Sequence, residues 1–110
     1  MSSPQLTHET YADFVASNSF AVVHCWAVWN GYDHKMRAAL ADQMPHFRQI
    51  AFAEFDVDPP DHHDICRELN VHGPPFLALY RDGALVTSRV GLMDRADLRA
   101  FLHGLLNPAA

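Results

Sequence analysis

Thiols are the side chains best suited to covalent chemistry in this sequence, and there are two of them. Cys25 and Cys66 lie far apart in a chain of 110 residues, and no Cys-x2-Cys pair occurs. Dithiol exchange needs one thiolate that attacks and a second thiol that resolves the mixed disulfide. Both cysteines fall on apolar patterns that predict burial, where a thiol has a raised pKa and reacts slowly. We therefore expect both to serve as packed free thiols.

Eight histidines in the chain raise the question of a metal site. The densest cluster is His62 and His63, flanked by Asp61 and Asp64. Adjacent residues on a helix point about 100° apart, and no His-x3-His spacing accompanies the pair. We expect a solvated helix start here and no metal ligands. A metal-binding or small-ligand-binding protein built on the histidines ranks third among the functions we consider.

A polar turn follows the longest apolar run of the first half of the chain. It reads Trp29, Asn30, Gly31, Tyr32, Asp33. A helix N-terminus attracts anions and polar ligands, so these side chains are candidates for a site. They also suit a helix start, with Asn30 as N-cap and the Asp33 carboxylate offsetting the helix dipole, which is the interpretation we favour. No Ser or Cys nucleophile lies near Asp33 and His34 in the sequence, so a hydrolytic triad is not expected.

His24 lies inside the apolar run that precedes this turn. Strand alternation sends His24 and Cys25 to opposite faces of the predicted sheet. Both are expected to be buried, because a nearly continuous apolar run is typical of a central strand covered on both faces. One interpretation of His24 is a titrating group that desolvation holds toward its neutral form. The other, which we favour, is a core histidine hydrogen-bonded to a neighbour.

Length and composition predict one globular domain over residues 1–110, with flexible termini at 1–6 and 107–110. A chain of this size can bury about 60–70% of its unfolded surface, enough for a core without disulfides. Its net charge is −5, with 8 Lys and Arg and no basic run, so nucleic acid is not an expected partner. Met1 to Thr10 has no basic region and no apolar stretch of about seven residues, so we do not expect a secretory signal. No segment approaches the roughly 20 apolar residues of a membrane span. Two unpaired cysteines favour the cytoplasm.

The periodicities predict alternating strands and helices. Residues 20–28 and 50–57 have strand patterns, and a helix between them should start near Gly31 and kink or stop near Pro45. Asp82-Gly83 predicts a hairpin turn between the strands 76–80 and 84–90. Asp94 is the expected N-cap of a last helix. The order is βαβ followed by ββα, which defines an α/β fold.

Four segments in this order make the chain resemble the thioredoxin family from about Phe20 to Leu106. The matching segments are Ala21 to Trp29 with its Trp-Ala-x-Trp ending, Phe55 to Asp58, Val71 to Gly83, and Val90-Gly91 followed by the helix from Asp94 to Leu105. The resemblance implies the thioredoxin fold, a central mixed sheet of four to five strands with helices on both faces. It also places Pro75 on the family's cis-proline, so the bond between Pro74 and Pro75 is expected to be cis.

The resemblance also shows what this chain lacks. The family carries Trp-Cys-Gly-Pro-Cys at its active-site turn, whereas here Asn30 and Asp33 stand at the two cysteine positions. The turn therefore has no sulfur with which to exchange disulfides. His24 stands where the family keeps a buried acid.

Thioredoxin-like domains bind an extended client segment beside the cis-proline loop, and main-chain pairing of that kind needs no redox chemistry. The equivalent surface here consists of Trp29, Tyr32, Gly73, Pro74, Pro75 and Phe76. We therefore expect a redox-inactive adaptor or chaperone-like module without a cofactor, which binds a protein or an extended peptide, does not bind membranes and is a monomer or weak dimer. The alternative is a thiol–disulfide or glutathione-linked oxidoreductase that uses Cys25 or Cys66.

Overall fold

A computed structural model describes residues 3–71 and 73–107. The strands are β1 (Gln5–Leu6), β2 (Phe20–Trp26), β3 (Ala51–Asp56), β4 (Phe76–Arg81) and β5 (Ala84–Val90). The helices are α1 (Tyr11–Ala16), α2 (Gly31–Gln43), α3 (His63–Leu69) and α4 (Arg95–Leu106), with 3-10 turns at Met44–His46 and Pro60–His62. The predicted α/β order is confirmed.

The five strands form one mixed sheet in the order β1-β3-β2-β4-β5. The β1–β3 and β3–β2 pairs are parallel, and the β2–β4 and β4–β5 pairs are antiparallel. Two apolar clusters cover its two faces. Cys25, Phe55 and Tyr80 belong to the cluster that includes residues of α1 and α3, whereas Val22 and Leu77 belong to the one that includes residues of α2 and α4. This is the sheet of four to five strands, with helices on both faces, that the sequence predicts.

Local signals fix several boundaries as expected. The α2 helix ends at Gln43, just before Pro45, which lies in the 3-10 turn that follows. The hairpin turn between β4 and β5 has positive φ at both Asp82 and Gly83, a conformation that favours these residue types. The Asp94 carboxylate accepts a hydrogen bond from the Asp97 N–H at 2.8 Å, so Asp94 caps α4.

The N-terminal segment differs from the expectation. Residues 1–6 were expected to be flexible, but Gln5 and Leu6 form the edge strand β1, which pairs with Glu54 and Phe55. The Glu54 N–H also donates to the carbonyl of Pro4 at 2.9 Å. Backbone hydrogen bonds and burial of Leu6 together hold this segment to the sheet. Residues 1–2 and 108–110 of the expected flexible termini lie outside the described residues.

Candidate functional site

Asn30 fixes the start of α2 from two sides. Its side-chain oxygen accepts a hydrogen bond from the Tyr32 N–H at 2.9 Å, which confirms its predicted role as N-cap. Its side-chain amide donates to the carbonyl of Pro74 at 2.7 Å and so ties the turn to the proline loop. Both functional groups of Asn30 are therefore used within the protein.

Asp33 lies inside the protein, with only 1% of its surface exposed. One carboxylate oxygen accepts a hydrogen bond from the Ala27 N–H at 2.9 Å, and the other lies 3.0 Å from Nε2 of His24. Ala27 follows directly after β2, so Asp33 closes the turn between the end of that strand and the start of α2. The carboxylate is thus engaged in the structure of the turn.

His24 is the centre of a buried polar network. Its Nε2 faces Asp33, and its Nδ1 lies 3.2 Å from a carboxylate oxygen of Glu54. Ionised carboxylates only accept hydrogen bonds, so both contacts are hydrogen bonds at once when both ring nitrogens carry a hydrogen. This confirms the interpretation of His24 as a core histidine bonded to a neighbour, and it adds a second neighbour.

Glu54 carries the network to the surface. It accepts hydrogen bonds from Nε of Arg37 and from the side-chain amide of Gln5, both at 2.6 Å. Burial by itself would raise the pKa of Glu54, but hydrogen bonds from His24 and Arg37 and the charge of Arg37 outweigh it and lower the pKa. Sequence reasoning missed Glu54 because strand alternation alone puts it on the polar side. Its position beside His24 follows from the β2–β3 register, which the sequence pattern does not give.

The proline loop only partly forms the surface expected of it. Trp29 and Tyr32 are exposed by 67% and 59%. Phe76, predicted to line a binding groove, is instead buried, because it lies on β4 where its side chain enters the core. Pro75 is buried as well, while Gly73 and Pro74 are half-buried. The expected surface is therefore restricted to the two exposed aromatics and the start of the loop.

The backbone of this loop is already hydrogen-bonded within the domain. The Pro74–Pro75 peptide bond is cis. The Pro74 carbonyl accepts from Asn30, and the Pro75 carbonyl accepts from the Gly91 N–H at 2.7 Å. Proline has no N–H to donate. An extended peptide therefore finds no N–H donor at these two residues, and each of their carbonyls already accepts one hydrogen bond.

The two thiols differ in exposure. Cys25 is completely buried, as predicted, and burial, reinforced by the nearby Cys66 and Asp33, raises its pKa strongly. Cys66 was also predicted to be buried, but it is only half-buried, because it lies on α3 beside a shallow groove of about 530 Å³. Burial still raises the pKa of Cys66, and the Asp56 carboxylate adds to that effect. Of the two cysteines, Cys66 is thus the one that is partly exposed.

The groove beside Cys66 is lined mainly by polar and basic side chains, and Asn70 and Val71 complete its wall. His63 and Arg67 both line it. Arg67 forms an exposed ion pair with Asp64, and the His63 ring lies 3.1 Å from the carbonyl of Asp58. Cys66, His63 and Arg67 thus line one groove, a set of groups that suits a thiol or disulfide ligand with carboxylates.

The histidine cluster has a structural explanation. His62 was expected in a solvated helix start, but it is buried and stacks on Phe55 with ring centroids 4.3 Å apart. Its Nδ1 also lies 2.6 Å from the carbonyl of Asp56. Within residues 3–71 and 73–107, no group of three His, Cys, Asp or Glu residues could hold a metal ion.

In the same part of the chain, no helix is long and apolar enough to cross a membrane.

Comparison with known proteins assigns the family. The thioredoxin family model matches residues 2–104, and the chain belongs to this family. Mitochondrial thioredoxin 3 from Saccharomyces cerevisiae, in its oxidised form, superimposes with a TM-score of 0.84 at 24% identity over 94% of this chain and 95% of that one. That likeness confirms the predicted thioredoxin fold.

Curated relatives are similar in sequence over most of this chain. Thioredoxin-2 of Pyricularia oryzae is 29% identical over 83 residues, which are 76% of this chain and 47% of that protein. The chain thus spans about half of that relative's length. A thioredoxin of Pseudomonas aeruginosa is 28% identical over 90 residues, 82% of both chains.

These relatives contradict the expectation of a redox-inactive adaptor. Proteins named thioredoxin match most of this chain, and they favour the alternative of a thiol–disulfide oxidoreductase. The expectation was wrong because it took the absence of cysteines at the turn from Trp29 to Asp33 as the absence of thiol chemistry in the whole chain. Cys66 lies on a different helix and is partly open to solvent.

Proposed function

We propose that this chain is a thiol–disulfide oxidoreductase that uses Cys66 as its exchanging thiol and glutathione as reductant. The observation that carries the proposal is the position of Cys66, half-buried on α3 and lining a groove with His63 and Arg67. Cys25 does not compete for this role, since it is fully enclosed in the core. The turn from Trp29 to Asp33 contributes no sulfur.

The proposed reaction needs only one protein thiol. The Cys66 thiolate attacks the glutathione sulfur of a mixed disulfide, so that the substrate leaves as a thiolate and takes up a proton. A second glutathione, as its thiolate, then attacks the glutathione sulfur now bound to Cys66. Cys66 is released and glutathione disulfide forms. Overall, one substrate sulfur is reduced, and glutathione is oxidised from thiol to disulfide.

Charge supports an anionic co-substrate. Glutathione carries carboxylates, and the groove places the basic side chains of His63 and Arg67 beside the thiol. Arg67 is already paired with Asp64. Because an exposed ion pair contributes little stability, a carboxylate of glutathione can compete with Asp64 for Arg67. The oxidised substrate we propose is a protein or an extended peptide that carries a glutathione mixed disulfide. The cytoplasm is the proposed location, because both cysteines are free thiols.

The test is a comparison of single-thiol variants in a glutathione-dependent assay. The substrate is a peptide glutathionylated on its one cysteine, and formation of glutathione disulfide is followed with excess reduced glutathione. Wild type and Cys25→Ala should accelerate the reaction, whereas Cys66→Ser should fall to the rate without protein. Circular dichroism checks that both variants are folded. Equal rates for Cys66→Ser and wild type would refute the role of Cys66.

A further inference from the structure

A second groove lies on another part of the molecule, where α2 ends and β3 begins. Its apolar walls come from the end of α2, the following 3-10 turn and the start of β3, and they consist of Ala41, Met44, Pro45, Phe47, Ile50 and Phe52. We infer that this groove binds a small amphiphile with an aliphatic chain and a carboxylate head. The inference is independent of the thiol chemistry proposed above.

Size and rigidity make the groove suitable for a small ligand. Its volume is about 620 Å³, within the range of about 300–1,000 Å³ typical of small-molecule sites. Phe47 and Ile50 are anchored in the core with little exposed surface, so this part of the wall is fixed. The wall residues that reach solvent are Ala41, Met44 and Pro45. An aliphatic chain placed against them is removed from water, which is the main source of affinity for such ligands.

The charge of the head group follows from Arg48. Among residues 3–71 and 73–107, Arg48 is the only charged side chain that lines the groove. It is exposed, and it forms no salt bridge with another of these residues. Asp42, next to the wall residue Ala41, is paired with Arg95 at 3.1 Å, so its negative charge is compensated. An anionic head in the groove therefore has an available cation in Arg48.

The groove also has room to deepen at one wall. A small cavity of about 60 Å³ shares Ala41, Met44 and Phe52 with it and extends toward His24 and Glu54. The sulfur of Met44 lies 3.8 Å from the hydroxyl of Ser3, which also lines that cavity. Because methionine is flexible and adapts to irregular contacts, this wall can move to accept a longer chain.

The experiment measures binding of decanoate and decanol, each below its aggregation concentration, by titration calorimetry and by NMR shifts. Wild type should bind decanoate about two- to fivefold more tightly than decanol, the size expected for an exposed charge contact. Arg48→Gln should remove this preference, so that decanoate and decanol bind with equal affinity. Ala41→Phe places a ring in the groove from an exposed helix position and should abolish binding of both ligands. Arg99→Gln, an exposed arginine on α4, is the matched control and should behave as wild type.

Several outcomes would overturn the inference. Equal affinity for decanoate and decanol in wild type would remove the role of Arg48. Unchanged binding in Ala41→Phe, with circular dichroism showing a folded protein, would place the ligand elsewhere. A peptide with a free C-terminal leucine that binds more tightly than decanoate, and at the same residues by NMR, would replace the small amphiphile with a protein terminus.

Discussion

The start of α2 and the middle of α3 differ in how far their reactive side chains are buried. At the start of α2, Asp33 is almost fully enclosed, as is His24 of β2, which faces it, and their polar atoms are engaged with other groups of the protein. On α3, Cys66 remains partly open beside basic side chains that reach solvent. Asp33, which stands at one of the family's cysteine positions, is thus part of a structural hydrogen-bond network. The partly exposed thiol lies on another helix, at Cys66. The absence of a Cys-x2-Cys motif therefore excludes dithiol exchange at the start of α2. It does not exclude thiol chemistry elsewhere in the chain.

The largest expected effect comes from removing the centre of the buried network. His24→Ala leaves the carboxylates of Asp33 and Glu54 without the ring between them, in a place with little water. Removing one hydrogen-bond partner of a buried group costs about 1–3 kcal/mol, and more when the group left behind is charged; here two carboxylates each lose a partner. We expect a loss of that size in the free energy of unfolding, measured by urea denaturation.

The matched control is a histidine of the α3 region. His63→Ala removes an exposed ring and should change the free energy of unfolding by no more than about 0.5 kcal/mol. A cost below about 1 kcal/mol for His24→Ala would mean that the network is not structural, and the contrast between the two regions would fail.

Glu54→Gln should give the next largest effect. The variant keeps the shape of the side chain but loses the charge that accepts from Arg37 and faces His24, and hydrogen bonds to charged groups contribute about 1.5–3 kcal/mol. The pKa of Glu54 is lowered from its usual 4.5 in the folded protein. Its stabilisation is therefore present above pH 4.5 and is lost as the pH falls through the lower folded pKa.

The measurement is the difference in free energy of unfolding between wild type and Glu54→Gln from pH 7 down to pH 3. It should be constant above pH 4.5 and shrink below it. Glu68→Gln, at an exposed position on α3, is the control and should show a small difference. A gap between wild type and Glu54→Gln that widens with acid would contradict the sign of the pKa shift.

Features that depend on neighbours in sequence were predicted from the sequence. Contacts between residues distant in sequence were not. The apolar run of β2, the Asp82-Gly83 turn and the Asn30 cap each depend on neighbours in sequence, so their patterns were sufficient. The link between His24 and Glu54 depends on the register of two strands that are distant in sequence, which periodicity does not encode. The exposure of Cys66 depends on how α3 packs on the sheet, and the burial of Phe76 depends on its place in β4.

The smallest effect is a difference in rate between the two thiols. Cys66 is half-buried and Cys25 is enclosed, so Cys66 should react with iodoacetamide about tenfold faster in the native protein. Burial raises the pKa of Cys66 above its usual 9.0, so its thiolate fraction should grow about tenfold per pH unit from pH 7 to 9 without levelling off. Mass spectrometry of quenched samples gives each rate, and protein in denaturant is the control, where the two rates should converge. Native labelling of Cys25 as fast as that of Cys66, or a plateau of the Cys66 rate by pH 8, would show that the two environments do not differ as the structure indicates.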